Sequence, residues 1–188
     1  YPSVGQGVER LKMAFRSAYA ILDKVGFLLN LHLKLGHSER RVSFRNLWFE
    51  GGKGKVLHPG LNGLPNWPLR GLFWLAKDVF EDAFKRVTEP DAEALYELRN
   101  HLEHKFVLVH DDFCRAVSPS PAPPAPPGLF DLSFESLARR TLRQLKLARA
   151  ALIYLTLAVH AEERRKAEGR GDGLIMPMTM DRYEDSWK

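Results

Sequence analysis

Apolar residues recur every three or four positions in four separate stretches of the chain, a period that a helix satisfies and a strand does not. In the first stretch Val8, Leu11, Phe15, Ala18, Leu22, Val25 and Leu29 carry the stripe. A helix is expected from Gly7 to Leu35, with Gly36 at its stop. Pro68 suits the first turn of a second helix running to about Val87, with Leu69, Leu72, Phe73, Ala76, Phe80 and Ala83 inward. Thr88 reads as the N-cap of a third, with Pro90 in the following turn, Asp91 in the capping-box position, and Leu95, Leu98 and Leu102 facing the core. The fourth spans Phe134 to about Glu168, capped near Ser133, with Leu142, Leu145, Leu152, Leu155 and Val159 inward. Stripes of this kind are core faces.

The segments between lack the period. Residues 37–67 collect Gly and Pro and read as loop with one short helix around Phe44 to Phe49. Within them "GGKGK" misses the GxxxxGK[ST] spacing of a phosphate loop, because Val56 stands where the metal-binding hydroxyl belongs. Residues 118–128, "SPSPAPPAPPG", are short of amide donors and read as an extended tether. No run of strands, hairpin signal or internal repeat is visible. The expected fold is an all-α bundle of four helices, or five with the short one, with a long Pro-rich connection before the last. One helical domain would cover residues 1–168, with 118–128 as its internal linker and 169–188 as a charged, Gly-containing tail.

At 188 residues a single domain can bury a real core. Hydrophobic content of 45% and charged content of 27% are those of a soluble globular protein. The longest apolar run, Ala150 to Val159, is about half of what a bilayer crossing needs, so no membrane partner is expected. With Cys114 the only cysteine, no internal disulfide can form, and a reducing cytoplasm is the expected compartment. The chain opens on Tyr1 without a start methionine or signal peptide, so a piece of a longer or processed chain is expected. The formal charge of +5 and a pI near 9.4 lean toward polyanions.

The third helix ends in "ELRNHLEHKF", residues 97–106, with an arginine, an asparagine, two histidines and two glutamates in ten positions. Residues four apart share a helix face, so Arg99 neighbours Glu103 and Asn100 neighbours His104, with Leu98 and Leu102 anchoring the other side. Three readings stay open. The first is a solvent face with an Arg99–Glu103 pair worth a few tenths of a kcal/mol. The second is a metal site from Glu97, His101 and His104, which lacks the HExxH pattern. The third is metal-free acid–base chemistry on phosphate: histidine exchanges protons near neutrality, arginine supplies fixed charge and bidentate donors, and asparagine orients either.

Arg99-Asn100-xxx-His104 resembles the Rx4–6H motif, with a polar residue after the arginine, of the HEPN superfamily of helical ribonucleases. "AYAILDKVGFLLN" (18–30), "VSFRNLW" (42–48), "LRGLFWLAKDVFE" (69–81) and "LRNHLEHKF" (98–106) are similar to the HEPN branch often fused to tetratricopeptide repeats in bacteria. The resemblance covers about the first 115 residues; beyond them only a linker followed by a long helix matches. It implies a helical bundle of four or five helices, usually dimeric, with two motifs facing one cleft. Arg99 and His104 would be the catalytic pair and Asn100 the adjacent polar position. Glu103 would tune His104 or pair with Arg99, and His101 inherits no role beyond support. The implied activity is endoribonuclease cleavage of RNA by the neighbouring 2′-hydroxyl, without metal or cofactor, in a defence or stress-response protein. A tetratricopeptide-repeat or other sensor domain of the parent chain is the implied partner.

Phe106 and the basic stripe Arg139, Arg143, Lys146 and Arg149 are candidates for contacting the strand, although the stripe reads first as a solvated face and only second as a phosphate track. Two other functions share the same residues: a catalytically silent HEPN module that binds RNA or nucleotide or dimerises its parent, and a purely structural helical domain. His32 reads as a partly buried satisfied residue, while His37, His58 and His160 show no partner in sequence. "HDD" at 110–112 reads as the end of the motif helix.

Overall fold

The computed structural model describes residues 5–52, 56–80, 92–111 and 129–169. Four helices hold most of them: α1 (Gln6–His32), α2 (Trp67–Phe80), α3 (Ala92–His104) and α4 (Phe134–Glu168). Two short strands, β1 (Phe106–His110) and β2 (Leu129–Ser133), join α3 to α4. The bundle expected from the periodicity is present. The expected caps at Thr88 and Asp91, the end of the second helix at Val87, Ala83, the 118–128 tether and the tail lie outside the described residues.

The 27 residues of α1 bury Val8, Phe15, Ala18, Leu22, Val25 and Leu29, the stripe read from sequence. The helix stops at His32, short of Leu35, because Lys34 (φ 54°) and Gly36 (φ 77°) turn left-handed. Buried Asn30 fixes that exit: its amide donates to the His37 carbonyl at 2.9 Å, and its Oδ1 accepts from the His37 amide at 3.0 Å. No regular helix forms around Phe44 to Phe49; the segment makes turns that drive Phe44, Leu47 and Trp48 into the core at 1% exposure or less. Gly26 permits this. A Cβ there would sit 2.7 Å from the Phe44 backbone nitrogen and 2.8 Å from the Ser43 carbonyl carbon.

Asn66 caps α2 by accepting the Leu69 amide at 3.0 Å, and its own amide donates to the Ala158 carbonyl of α4 at 2.8 Å. α4 begins as read, with the Ser133 hydroxyl accepting the Ser136 amide at 3.2 Å. Its buried face keeps the expected Leu155 but otherwise differs from the expected one. Leu137, Thr141, Gln144, Ala148, Ala151, Leu155 and Ala158 point inward, while Leu142, Leu145 and Leu152 are about half exposed and Val159 is half-buried. The helix is apolar on two sides, and the small residues take the inner one because they let α1 and α2 approach closely.

The second correction concerns the strands. β1 and β2 pair in parallel, Phe106 opposite Leu129 through His110 opposite Ser133. The 18 residues between them exceed the dozen or so that a parallel crossover requires. Nothing local announces such a pair, since its partners are far apart in sequence. His110 therefore lies in β1, and the motif helix ends at His104 rather than at the "HDD". Among the described residues, no helix is long and apolar enough to cross a membrane.

Gly26→Ala tests the close approach. Helix propensity would favour alanine by about 1 kcal/mol, but the methyl forces the 43–44 backbone outward, so the variant should lose about 1–2 kcal/mol net. A urea midpoint equal to or above wild type would contradict the packing described.

Candidate active site

α1 supplies the wall against which the motif is built. Phe15, Tyr19 and Val8 pack with Leu95 and Leu98 of α3, Val109 and Leu132 of the strands, and Leu137 and Leu147 of α4. This cluster holds α3 on its Leu95–Leu98 side and leaves its polar residues to the periphery.

Arg99 and Asn100 are half-buried on α3. The Arg99 guanidinium lies 5.6 Å from the ring centroid of Tyr19, and its Nη1 donates to Asn100 Oδ1 at 3.2 Å. Among the described residues no carboxylate forms an ion pair with it. Asp23 lies one turn beyond Tyr19 and is close enough for its charge to be felt by both. Burial pushes the Asp23 carboxyl above its ordinary value, and the Phe44 amide and Arg99 oppose that shift. Burial, then Asp23, pushes the Tyr19 phenol up to about 12, with Arg99 again opposing. A guanidinium on a neutral phenol ring, near a partly buried carboxylate, keeps its remaining N–H donors for an anion.

The other motif residues point elsewhere. His104 closes α3 and is exposed. Five positions from Arg99, it leaves the helix about 140° around and roughly 7.5 Å along the axis. Glu103 pairs with Arg16 of α1 at 3.2 Å; the expected Arg99–Glu103 pair does not form. His101 turns toward β2: its ring stacks on Phe130 at 4.3 Å, and its Nδ1 donates to the Glu97 carbonyl at 2.7 Å. Its role is to pack α3 against the sheet. Among the described residues no three His, Cys, Asp or Glu side chains converge as a metal site.

Of the basic stripe, Arg139, Lys146 and Arg149 are exposed and Arg143 is half-buried. They share the outer side of α4 with Leu142, Leu145 and Ile153, so the stripe is mixed rather than purely cationic. The histidines without visible sequence partners have them in space. His37 Nε2 donates to the Leu47 carbonyl at 2.9 Å, and His58 Nδ1 accepts the Gly60 amide at 3.1 Å. The two rings lie 5.0 Å apart. His32 stands 3.5 Å from Glu163, and His110 bonds Asp131 across the strands at 2.7 Å.

Sequence reasoning missed Tyr19, Asp23 and Arg16. The available signal was a carboxylate at Asp23 beside the core position Leu22, one turn from a tyrosine, on a helix otherwise read only for its apolar stripe.

A family model described as LA2681-like HEPN matches residues 1–162. Neither the curated proteins nor the solved structures include a significant match to the chain.

Arg99→Ala removes the cation that favours the charged form of Asp23, so the Asp23 carboxyl should titrate at still higher pH. Carbon-13 NMR titration of that carboxyl checks this, and an unchanged midpoint would place Arg99 away from α1.

Proposed function

The chain belongs to the LA2681-like HEPN family, and from that premise we propose that it is an endoribonuclease that cleaves RNA by attack of the neighbouring 2′-hydroxyl. The observation that carries the reading is the Arg99 guanidinium, seated on Tyr19 and Asn100 with no ion-pair partner among the described residues, on the helix that ends in exposed His104.

The chemistry divides among the residues as follows. Arg99 binds the scissile phosphate and stabilises the charge that grows on its oxygens in the phosphorane-like transition state. Asn100 orients the guanidinium. His104 exchanges the protons: a base takes the 2′-hydroxyl proton, and an acid delivers one to the departing 5′-oxygen. The products are a 2′,3′-cyclic phosphate and a 5′-hydroxyl, with no metal in the step.

One imidazole per protomer leaves the acid or the base unassigned, and the roughly 140° divergence of Arg99 and His104 keeps one helix from surrounding a phosphate. Both points favour a homodimer in which two α3 ends face one cleft, each His104 taking one proton-transfer role. Tyr19 and Asp23 act as positioning residues that set the direction of Arg99. The protein works in the cytoplasm within a defence or stress-response chain, gated by a sensor domain such as tetratricopeptide repeats.

Incubation of a labelled mixed-sequence single-stranded RNA with the chain in EDTA tests this. Wild type should cut, and folded Arg99→Ala and His104→Ala variants should each be slower by at least about 100-fold. Absence of cutting by the folded wild-type dimer, alone and with the parent's other domains restored, would overturn the nuclease reading in favour of a silent binding module.

A further inference from the structure

A second feature adjoins the motif and has no part in the proton transfers. Where α3 passes into β1, a cleft of about 220 Å³ opens against the first turns of α1. Leu102 and Val107 form its floor, and Lys12, Arg16 and Lys105 stand at its rim. Two apolar side chains face into it from opposite elements, Met13 of α1 and Phe106 of β1.

Both are out of place for a folded core. Met13 is 66% exposed, and Phe106, at 79%, is more exposed than any other large apolar side chain of the described residues. Phe106 is held there by the ladder, opposite Leu129 at the start of the parallel pair. Lys12 steadies the opposite wall, donating to Glu9 Oε1 at 2.9 Å and to the Val107 carbonyl at 3.3 Å. The Arg16–Glu103 pair at 3.2 Å closes the end nearest the motif. Three cations against two carboxylates, Glu9 and Glu103, leave the rim net positive.

We propose that this cleft receives one unstacked base of single-stranded RNA, its ring against Phe106 and Met13 and its flanking phosphate at Lys105 and Arg16. The assignment rests on the RNA reading of the motif. An aromatic face beside cations is the chemistry by which proteins hold unpaired bases, because every base offers a ring to stack. The volume lies below the roughly 300–1,000 Å³ of sites that enclose whole small-molecule ligands, which suits a single base. Residues 103 and 105 flank His104, so the stacked base belongs to a nucleotide adjoining the scissile phosphate. The cleft thereby makes the enzyme select single-stranded over paired RNA at that position, since a paired base cannot leave its stack without losing its partner.

The test uses the 188-residue chain carrying His104→Ala, so that RNA stays intact. Binding of a labelled ten-nucleotide oligoadenylate is compared with that of the same backbone lacking its bases, before and after adding Phe106→Ala or Phe106→Trp. The bases should tighten binding roughly five- to 150-fold. Phe106→Ala should abolish that advantage and Phe106→Trp should retain it. Equal discrimination with and without Phe106 would overturn the subsite. Cleavage of single-stranded RNA by the chain with His104 intact, measured in parallel, separates the two claims. Cutting with no dependence on Phe106 removes the subsite and leaves the nuclease. Phe106-dependent base discrimination without cutting leaves the subsite and removes the nuclease. No RNA binding removes both. Conversion of a dimer to a monomer by Phe106→Ala in sedimentation would show that a second copy covers this face, and would also overturn the subsite.

Discussion

Burial of one stripe of α1 organises both halves of the molecule. Its C-terminal half, through Leu22, Val25 and Leu29, packs with Phe44, Leu47 and Trp48, with α2, and with Ala151, Leu155 and Ala158 of α4. Its N-terminal half, through Val8, Phe15 and Tyr19, packs with α3, the two strands and the start of α4. The helix passes from one cluster to the other between Tyr19 and Leu22, beside Asp23, and Arg99 of α3 lies over that point. A rigid helix shared by two cores gives the arginine a seat that neither core alone would fix. A half-buried carboxylate and a buried phenol can sit there because the seam between the clusters still admits polar groups.

Much of this was legible in the sequence, for a definite reason. Helix periodicity is a local signal, and α1, α2 and the Ser133 cap of α4 follow from residues within a few turns of one another. The parallel pairing of β1 with β2 depends on partners 23 positions apart, such as Phe106 and Leu129, so no local rule reveals it. The orientation of α4 was hidden by its composition. Leucines at 142, 145 and 152 suggest the buried side, yet Ala148, Ala151 and Ala158 occupy it. Close helix approach favoured the smaller side chains, and the leucines were left at the surface. Farther along the same helix, Leu155 and Val159 join Leu28 and Leu31 of α1 around an apolar groove of about 600 Å³.

The candidate site was legible as a list and not as an arrangement. Arg99, Asn100 and His104 are recognisable by type and spacing. Their surroundings come from α1, some 80 positions earlier: Tyr19 beneath Arg99, Asp23 beside it, and Arg16 holding Glu103. Two residues of the same ten-residue stretch were drawn to structural partners, Glu103 to Arg16 and His101 to Phe130. Among the described residues the Arg99 guanidinium has no carboxylate partner, and the His104 imidazole ends the helix exposed.

In the proposed reaction these two groups direct the RNA's own 2′-hydroxyl at the adjacent phosphorus. That step is tested most directly by the ends of the products. RNA carrying a single 2′-deoxynucleotide at the cleavage position is incubated with the chain, and the fragments from the unmodified strand are examined by phosphorus NMR and mass spectrometry. A 2′,3′-cyclic phosphate and a 5′-hydroxyl are expected from the unmodified strand, with no cutting at the deoxy position. A 5′-phosphate product, or undiminished cutting at the deoxy position, would contradict it.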